Sequence, residues 1–405
     1  MSEPTSTPAA AAAASPLPEP AAPGKLPAPV KDSALPLASP APTAPAAAPA
    51  TLPASEPAAP ADAIFRDHKG SIVVAPNLWG ARIADTHCHL DMLECPELAL
   101  ARAAAQGVDF LVSVVDPSEH PETSYENLER WLAAAADLLK TAPFRPDDDT
   151  SGNDAPDGNE PDGNALLPPD QPGRDGNAPL APGQPGAGGH ALLPPEVHLM
   201  IGCHPHNASR YTAEAEARLR HYAADRRTVA IGEIGLDYHY DYSPRAVQQE
   251  VFARQIKLAT ELGLPIALHL RDAHDDGFAI LERVGWPPAG CLLHCYTLGP
   301  EEFKPFVQRG CYVAFGGALT FKKADDIRAA AAAVPLERLV TETDAPYMAP
   351  QPLRGTTNGP EDIVFTAALL AELRQTGGLT RRAVLDRIYA NARLFFMGSK
   401  SREGA

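Results

Sequence analysis

TVAIGEIGLDYHYDYSPRAVQQEVFARQIKLATELGLPIALHL, residues 228–270, contains one complete strand–helix–strand unit. Its ends, TVAIGE (228–233) and PIALHL (265–270), are short apolar runs rich in β-branched residues. Such continuous hydrophobicity suits strands covered on both faces, as parallel strands are. The amphipathic stretch between them opens at Pro244, whose ring already holds a helical φ, and stops at Gly263, a common helix terminator. Six further runs of the same texture flank this unit: RIADTH (82–87), DFLVSVV (109–115), VHLMIG (197–202), CLLHCY (291–296), CYVAFG (311–316) and RLVTET (338–343). Helical patterns at 96–106, 121–140, 213–224, 274–284, 300–309 and 325–333 separate them, and two more, 360–374 and 380–396, follow the last run. Eight alternations of strand and helix predict an α/β fold, a (β/α)₈ TIM barrel.

The rest of the 405-residue chain reads differently. Residues 1–79 are dominated by Ala and Pro, with no aromatic residue before Phe65, and are expected to form a disordered tail. Residues 143–195 are acidic and rich in Gly, Pro, Asn and Asp, which predicts a disordered insertion before strand three, inside a barrel domain spanning 80–398. A good part of the formal net charge of −17 falls in that insertion, leaving a mildly acidic body that argues against tight, sequence-blind duplex binding. The N-terminal residues lack a cationic segment followed by an aliphatic one, so no membrane attachment is expected and a cytoplasmic location is. Six cysteines (88, 95, 203, 291, 295, 311) without a CxxC pair suggest reduced thiols.

In such a barrel functional groups gather at the C-terminal ends of the strands. His87 and His89 close the first run and Glu233 the fourth; His269 and His294 lie near the ends of the fifth and sixth, and Asp344 follows the eighth. Four imidazoles and two carboxylates on one rim predict a metal centre, because buried carboxylates are costly unless a cation or donor satisfies them. The set has no thiolate and is large enough for two divalent ions, whether magnesium, manganese or zinc. In an extended His-x-His, residues two apart share a face, so His87 and His89 can grip one ion with Asp344 while Cys88 points away. His269 and His294 would serve the second ion, with Glu233 as the bridge. Cys291 and Cys295 flank His294, but the pleat is expected to send both away from it as packed thiols.

These residues lie within motifs that resemble the TatD-type metal-dependent deoxyribonucleases, a branch of the amidohydrolase-like barrel enzymes. The motifs are DTHCHLD (85–91), GCHPH (202–206), IGEIGLDYHYD (231–241), LHLRDA (268–273), LHCYTLG (293–299), ETDAPY (342–347) and NARLFF (391–396). The resemblance implies metal ligands at His87, His89, Glu233, His269, His294 and Asp344, the set already reached from strand ends. It also implies a nucleic-acid substrate, DNA ends and single strands, cut in exonuclease fashion. The loop MAPQPLRGTTNGPED (348–362) departs from the family, which usually shows an arginine-containing stretch ending in Asn-Glu-Pro.

Within this frame Asp344 is assigned to orient or deprotonate the attacking water, with Glu233 as bridge. His204 is a candidate for a phosphate or a metal-held water, or else a loop histidine bonding backbone. Arg271 is a candidate phosphate contact, or an ion-pair partner of Asp272 or Glu302. Tyr347 is a candidate base-stacking residue, or plain packing. The alternative activity is an amidohydrolase or deacylase acting on a C–N or acyl ester bond, although Glu233 stands where many such enzymes carry a carbamylated lysine. No stable protein partner is inferable from the chain.

Overall fold

A computed structural model describes residues 64–141, 192–375 and 378–398. Eight parallel strands form one sheet in chain order: β1 (Ile83–Cys88), β2 (Val108–Val115), β3 (Glu196–Ile201), β4 (Thr228–Asp237), β5 (Ile266–Arg271), β6 (Cys291–Leu293), β7 (Tyr312–Phe315) and β8 (Leu339–Thr341). Nine α-helices are found among the described residues: α1 (Pro96–Ala105), α2 (Pro121–Thr141), α3 (Ala213–Ala223), α4 (Arg245–Leu262), α5 (His274–Val284), α6 (Lys304–Gln308), α7 (Asp325–Ala333), α8 (Ile363–Arg374) and α9 (Arg381–Met397). The helix between β4 and β5 ends as its sequence suggests, with Gly263 left-handed at φ 66°.

The strands are apolar on both faces because each faces two cores. Along β2, Phe110, Val112 and Val114 belong to one buried cluster while Leu111 and Val115 belong to another, the period of two expected of a strand. The first cluster includes Ala84, Met200, Ala230, Ala267, Leu292, Ala314 and Val340 from the other strands, joined by Tyr389, Phe395 and Phe396 of α9. That helix therefore packs on the ring's inner residues, and the second cluster lies between the strands and the outer helices.

The first and last strands meet through side chains and loop backbone. Thr86 Oγ1 donates to Thr341 O (2.9 Å) and Thr341 Oγ1 to Ala84 O (2.8 Å). Just beyond, Asp344 N donates to His87 O and His89 N to Ala345 O, both at 2.8 Å. These bonds strap the segment after β8 onto the end of β1, which fixes Asp344 beside both histidines.

Three details correct the expectations. Strand four does not end at Glu233 but runs to Asp237, with a register shift against β5 between Ile231 and Ile234. The close approach there needs glycine: at Gly235 (φ 151°) a Cβ would stand 1.9 Å from His269 O. The helix expected at 300–309 has only one α-helical turn or so, Lys304–Gln308. Finally, residues 64–79 are not tail. Phe65–Arg66 and Ile72–Val73 pair as an antiparallel hairpin, and Phe65, 2% exposed, packs with Leu353, Val364 and the edge of the Phe365 ring. The remainder of the predicted tail, and nearly all of the predicted insertion, lie outside the described residues.

Phe65→Ala should consequently lower stability by about 3 kcal/mol, the low end for a buried phenylalanine because its pocket is peripheral. A thermal melt is expected to move down by about 6–12 °C for a domain of this size; an unchanged melt would return these residues to the tail. No helix among the described residues is long and apolar enough to cross a membrane.

Candidate metal centre

The six side chains expected at the strand ends converge, and a seventh joins them. His87 Nε2 lies 3.4 Å from Glu233 Oε2 and 3.6 Å from Asp344 Oδ1, while His89 Nε2 lies 3.6 Å from the same Asp344 oxygen. On the other side Glu233 Oε1 faces His269 Nδ1 (2.5 Å), His294 Nε2 (3.1 Å) and His204 Nε2 (3.5 Å). One oxygen of Glu233 thus faces His87, and the other faces three further imidazoles. The ligand atoms form three overlapping groups compact enough for an ion: His87, His89 and Glu233; His87, His294 and Asp344; His204, Glu233 and His269.

A shell of neighbours aims these rings. Glu342, fully buried, stands 3.3 Å from His294 Nδ1 through Oε2 and accepts from Cys295 N at 2.5 Å through Oε1. Asp237 Oδ2 lies 3.1 Å from His269 Nε2 and 2.9 Å from His206 Nε2. Asp85 accepts from Thr343 N (2.9 Å) and Thr343 Oγ1 (2.6 Å), bracing the turn into Asp344; burial pushes its carboxyl up to about 8. Glu342→Gln keeps the volume but removes the charge behind His294. It should weaken metal affinity by about 10- to 100-fold, read by titrating the protein with a chromophoric chelator; an unchanged affinity would reduce Glu342 to a packing residue.

The electrostatics divide the histidines. Burial lowers the His87 pKa, with nearby His294 adding to the effect, and burial takes His204 down to about 4, so both favour the neutral, ligating form. Burial also opposes charge on His294, but the Glu342 and Glu233 carboxylates overcome it and hold that imidazole well above its ordinary range. Glu233 is likewise desolvated, yet His294, His204 and His269 keep its carboxyl well below the usual value. Asp344 is lowered too: burial works the other way, and the His89 contact with the neighbouring imidazoles prevails.

Two observations test whether a cation fits. His87 is fully buried, and neither of its ring nitrogens has a hydrogen-bond partner although acceptors stand within 3.6 Å. An orphaned buried imidazole is costly unless something completes it. The spacing points the same way, since two donors each about 2.1 Å from one ion sit about 3 to 3.5 Å apart. The donor set, imidazoles with two carboxylates, therefore fits divalent ions.

The substrate-contact candidates fall in different places. His204, expected to meet a phosphate or a held water, sits among the ligand atoms themselves, and its Nδ1 also accepts from His206 N (3.1 Å). Arg271 makes neither predicted ion pair but lies over the Tyr240 ring, 4.7 Å from its centroid. Tyr347 is 51% exposed and stands edge-on to His89 at 6.2 Å. Cys88 points away as expected, its thiol meeting Val112 O, whereas Cys295 does not. The strand stops at Leu293, Cys295 turns left-handed at φ 46°, and its thiol comes beside Asp344, so pleat alternation no longer governs it.

In the loop that departs from the family, Asn358 Nδ2 bonds Thr343 O (2.8 Å) and Tyr347 O (2.5 Å), pinning the turn that carries Asp344. Arg354 stacks on Phe321 instead of reaching the centre. Gly359 leaves room that the Glu361 carboxylate fills, since a Cβ there would lie 2.3 Å from it. Sequence reasoning missed Asp237, Glu342 and His206 although all three lie in quoted motifs: Asp237 and His206 stand four residues beyond the runs read as 228–233 and 197–202, and Glu342 shares its run's end with Asp344, which took the ligand role.

Comparison with known proteins adds an independent line. The family model described as TatD related DNase matches residues 190–397. The uncharacterized metal-dependent hydrolase YabD of Bacillus subtilis is 40% identical over 179 residues, 44% of this chain and 70% of that protein. A 3′-5′ ssDNA/RNA exonuclease TatD of Cronobacter sakazakii is 40% identical over 153 residues, 38% of this chain and 58% of that protein. Among solved structures, the TatD homologue YjjV of Escherichia coli K12 superposes with a TM-score of 0.56 at 25% identity, covering 78% of this chain and 98% of that one.

Proposed function

This chain belongs to the TatD-related DNase family of metal-dependent hydrolases, and from that premise we propose that it is a two-metal phosphodiesterase removing nucleotides from the ends of single-stranded DNA. The observation that carries the reading is Glu233, whose two carboxylate oxygens face different imidazoles. Oε2 with His87, His89 and Asp344 would hold one ion; Oε1 with His204, His269 and His294 would hold the other. An imidazole-rich set suits zinc better than magnesium, which prefers oxygen ligands and retained waters.

When bound, such a pair supplies Lewis acidity toward a phosphoryl oxygen and brings the pKa of a water down toward neutrality. The chain's own groups do the rest. Asp344, at 14% side-chain exposure, is ionised and sits at the more open side of the centre with His89 at 18%. It is placed to orient that water and take its proton on a carboxylate oxygen. Glu233, nearly fully buried, keeps the two halves in fixed separation. Arg271 and Tyr347, both on the rim, are assigned to the strand: a guanidinium for phosphate and an exposed ring near His89.

The test is to give the metal-loaded protein an end-labelled single strand, the matching duplex, an RNA strand and an aminoacyl ester. The single DNA strand is expected to shorten one nucleotide at a time and faster than the duplex. Preferential cleavage of the ester would install the deacylase alternative instead.

A further inference from the structure

Two tyrosines outside the metal centre are left with their rings in solvent. Tyr240 and Tyr242 are 43% and 60% exposed, and they stack on each other with centroids 5.3 Å apart and planes 7° from parallel. The Arg271 guanidinium also lies against Tyr240. We propose that this pair is a stacking platform for an unpaired base of the strand being cut, with Arg271 beside it for the adjoining phosphate; the proposal rests on the nucleic-acid reading above.

The platform is joined to the centre by one residue. His206 meets Tyr240 and Tyr242 edge-on, at 5.5 and 4.8 Å between centroids, and its Nε2 lies 2.9 Å from the Asp237 oxygen that also faces His269. A base on the tyrosines would therefore lie one imidazole beyond a candidate ligand, within reach of a nucleotide neighbouring the scissile phosphate.

The loop that carries the rings is already fixed. Asp237 Oδ1 accepts from His239 N (3.0 Å) and Tyr240 N (2.9 Å). Asp241, left-handed at φ 50°, is held by Arg245, with Nη2 2.7 Å from Oδ2. Gln248 Nε2 donates to Ser243 O (2.8 Å), and Ser243 Oγ to His206 O (2.8 Å). Rings held this way lose little freedom when a base arrives, so more of the stacking energy appears as affinity. Asp241, the acidic residue between the two tyrosines, is offset by its ion pair with Arg245 and so does not repel a phosphate unopposed. A duplex keeps its bases stacked on one another, so the platform favours single strands, and it tolerates any sequence because every base has a π face.

The experiment replaces both rings, Tyr240→Ala with Tyr242→Ala, in the full-length metal-loaded protein. Two readouts are taken: KM and kcat on a single DNA strand, and binding of a cleavage-resistant phosphorothioate strand carrying 2-aminopurine at its end, whose fluorescence falls on stacking. KM and Kd are expected to rise by about five- to a hundredfold, the range of one lost base stack, with kcat within about twofold and the quenching lost. Tyr242→Trp should retain the quenching. On a strand with abasic terminal residues the gap between wild type and variant should close. An active wild type whose double variant binds and quenches unchanged, or loses equally on abasic and normal strands, overturns the platform alone. A wild type that neither binds nor cuts any strand removes the nucleic-acid reading and the platform with it.

Discussion

Glu233→Ala is expected to cut hydrolysis of a single-stranded oligonucleotide by about a thousandfold or more. Among the candidate ligands only this side chain offers one oxygen to each half of the centre, Oε2 toward His87 and Oε1 toward His204, His269 and His294. A two-ion site contributes several kcal/mol of transition-state stabilisation, and about 4 kcal/mol corresponds to roughly three orders of magnitude in rate. The alanine also leaves a group of buried imidazoles without their shared acceptor, so metal content should fall to one ion or none per chain by elemental analysis. Glu233→Gln separates size from charge and should lose rate nearly as severely while keeping the fold by circular dichroism. Full metal content with activity inside tenfold of wild type would remove Glu233 from the bridge.

Stripping the metal with a chelator should do more than stop turnover. Ligands that bind only the folded state stabilise it by mass action, by about 4 kcal/mol at a thousandfold excess over the dissociation constant. For a domain of this size that corresponds to a melting temperature lower by about 8–16 °C after chelation. The buried His87 supplies the structural reason, since without an ion its Nε2, which faces Glu233 and Asp344, stays unsatisfied. Adding back zinc or manganese should restore both the melt and the activity. A melt indifferent to chelator, with activity intact, would sink the metal centre altogether.

Most of the centre was legible in the chain. Each of His87, His89, Glu233, His269, His294 and Asp344 falls at or near the end of an apolar run, and a parallel barrel delivers all strand ends to one mouth. His204 was legible as a functional residue but not as a member of the ligand group. The strand before it ends at Ile201, and only the 3₁₀ turn that follows, Pro205–Arg210, sets its ring toward Glu233. Cys295 was misread for a related reason: alternation holds only while a strand lasts, and β6 stops two residues before it. The packed hairpin at Phe65 was missed because its two strands are two residues each, too short to show a period.

The ring of eight strands and the chemical kind of its mouth can be read along the chain, because hydrophobic period and residue type are local properties. Tertiary structure alone decided which oxygen of Glu233 meets which histidine, how the strap from β8 to β1 seats Asp344 between His87 and His89, and that Tyr240 and Tyr242 stand open beside Arg271. Those are distances between residues tens to hundreds of positions apart, set by register, a bulge and a few left-handed turns, and no pattern along the chain encodes them directly.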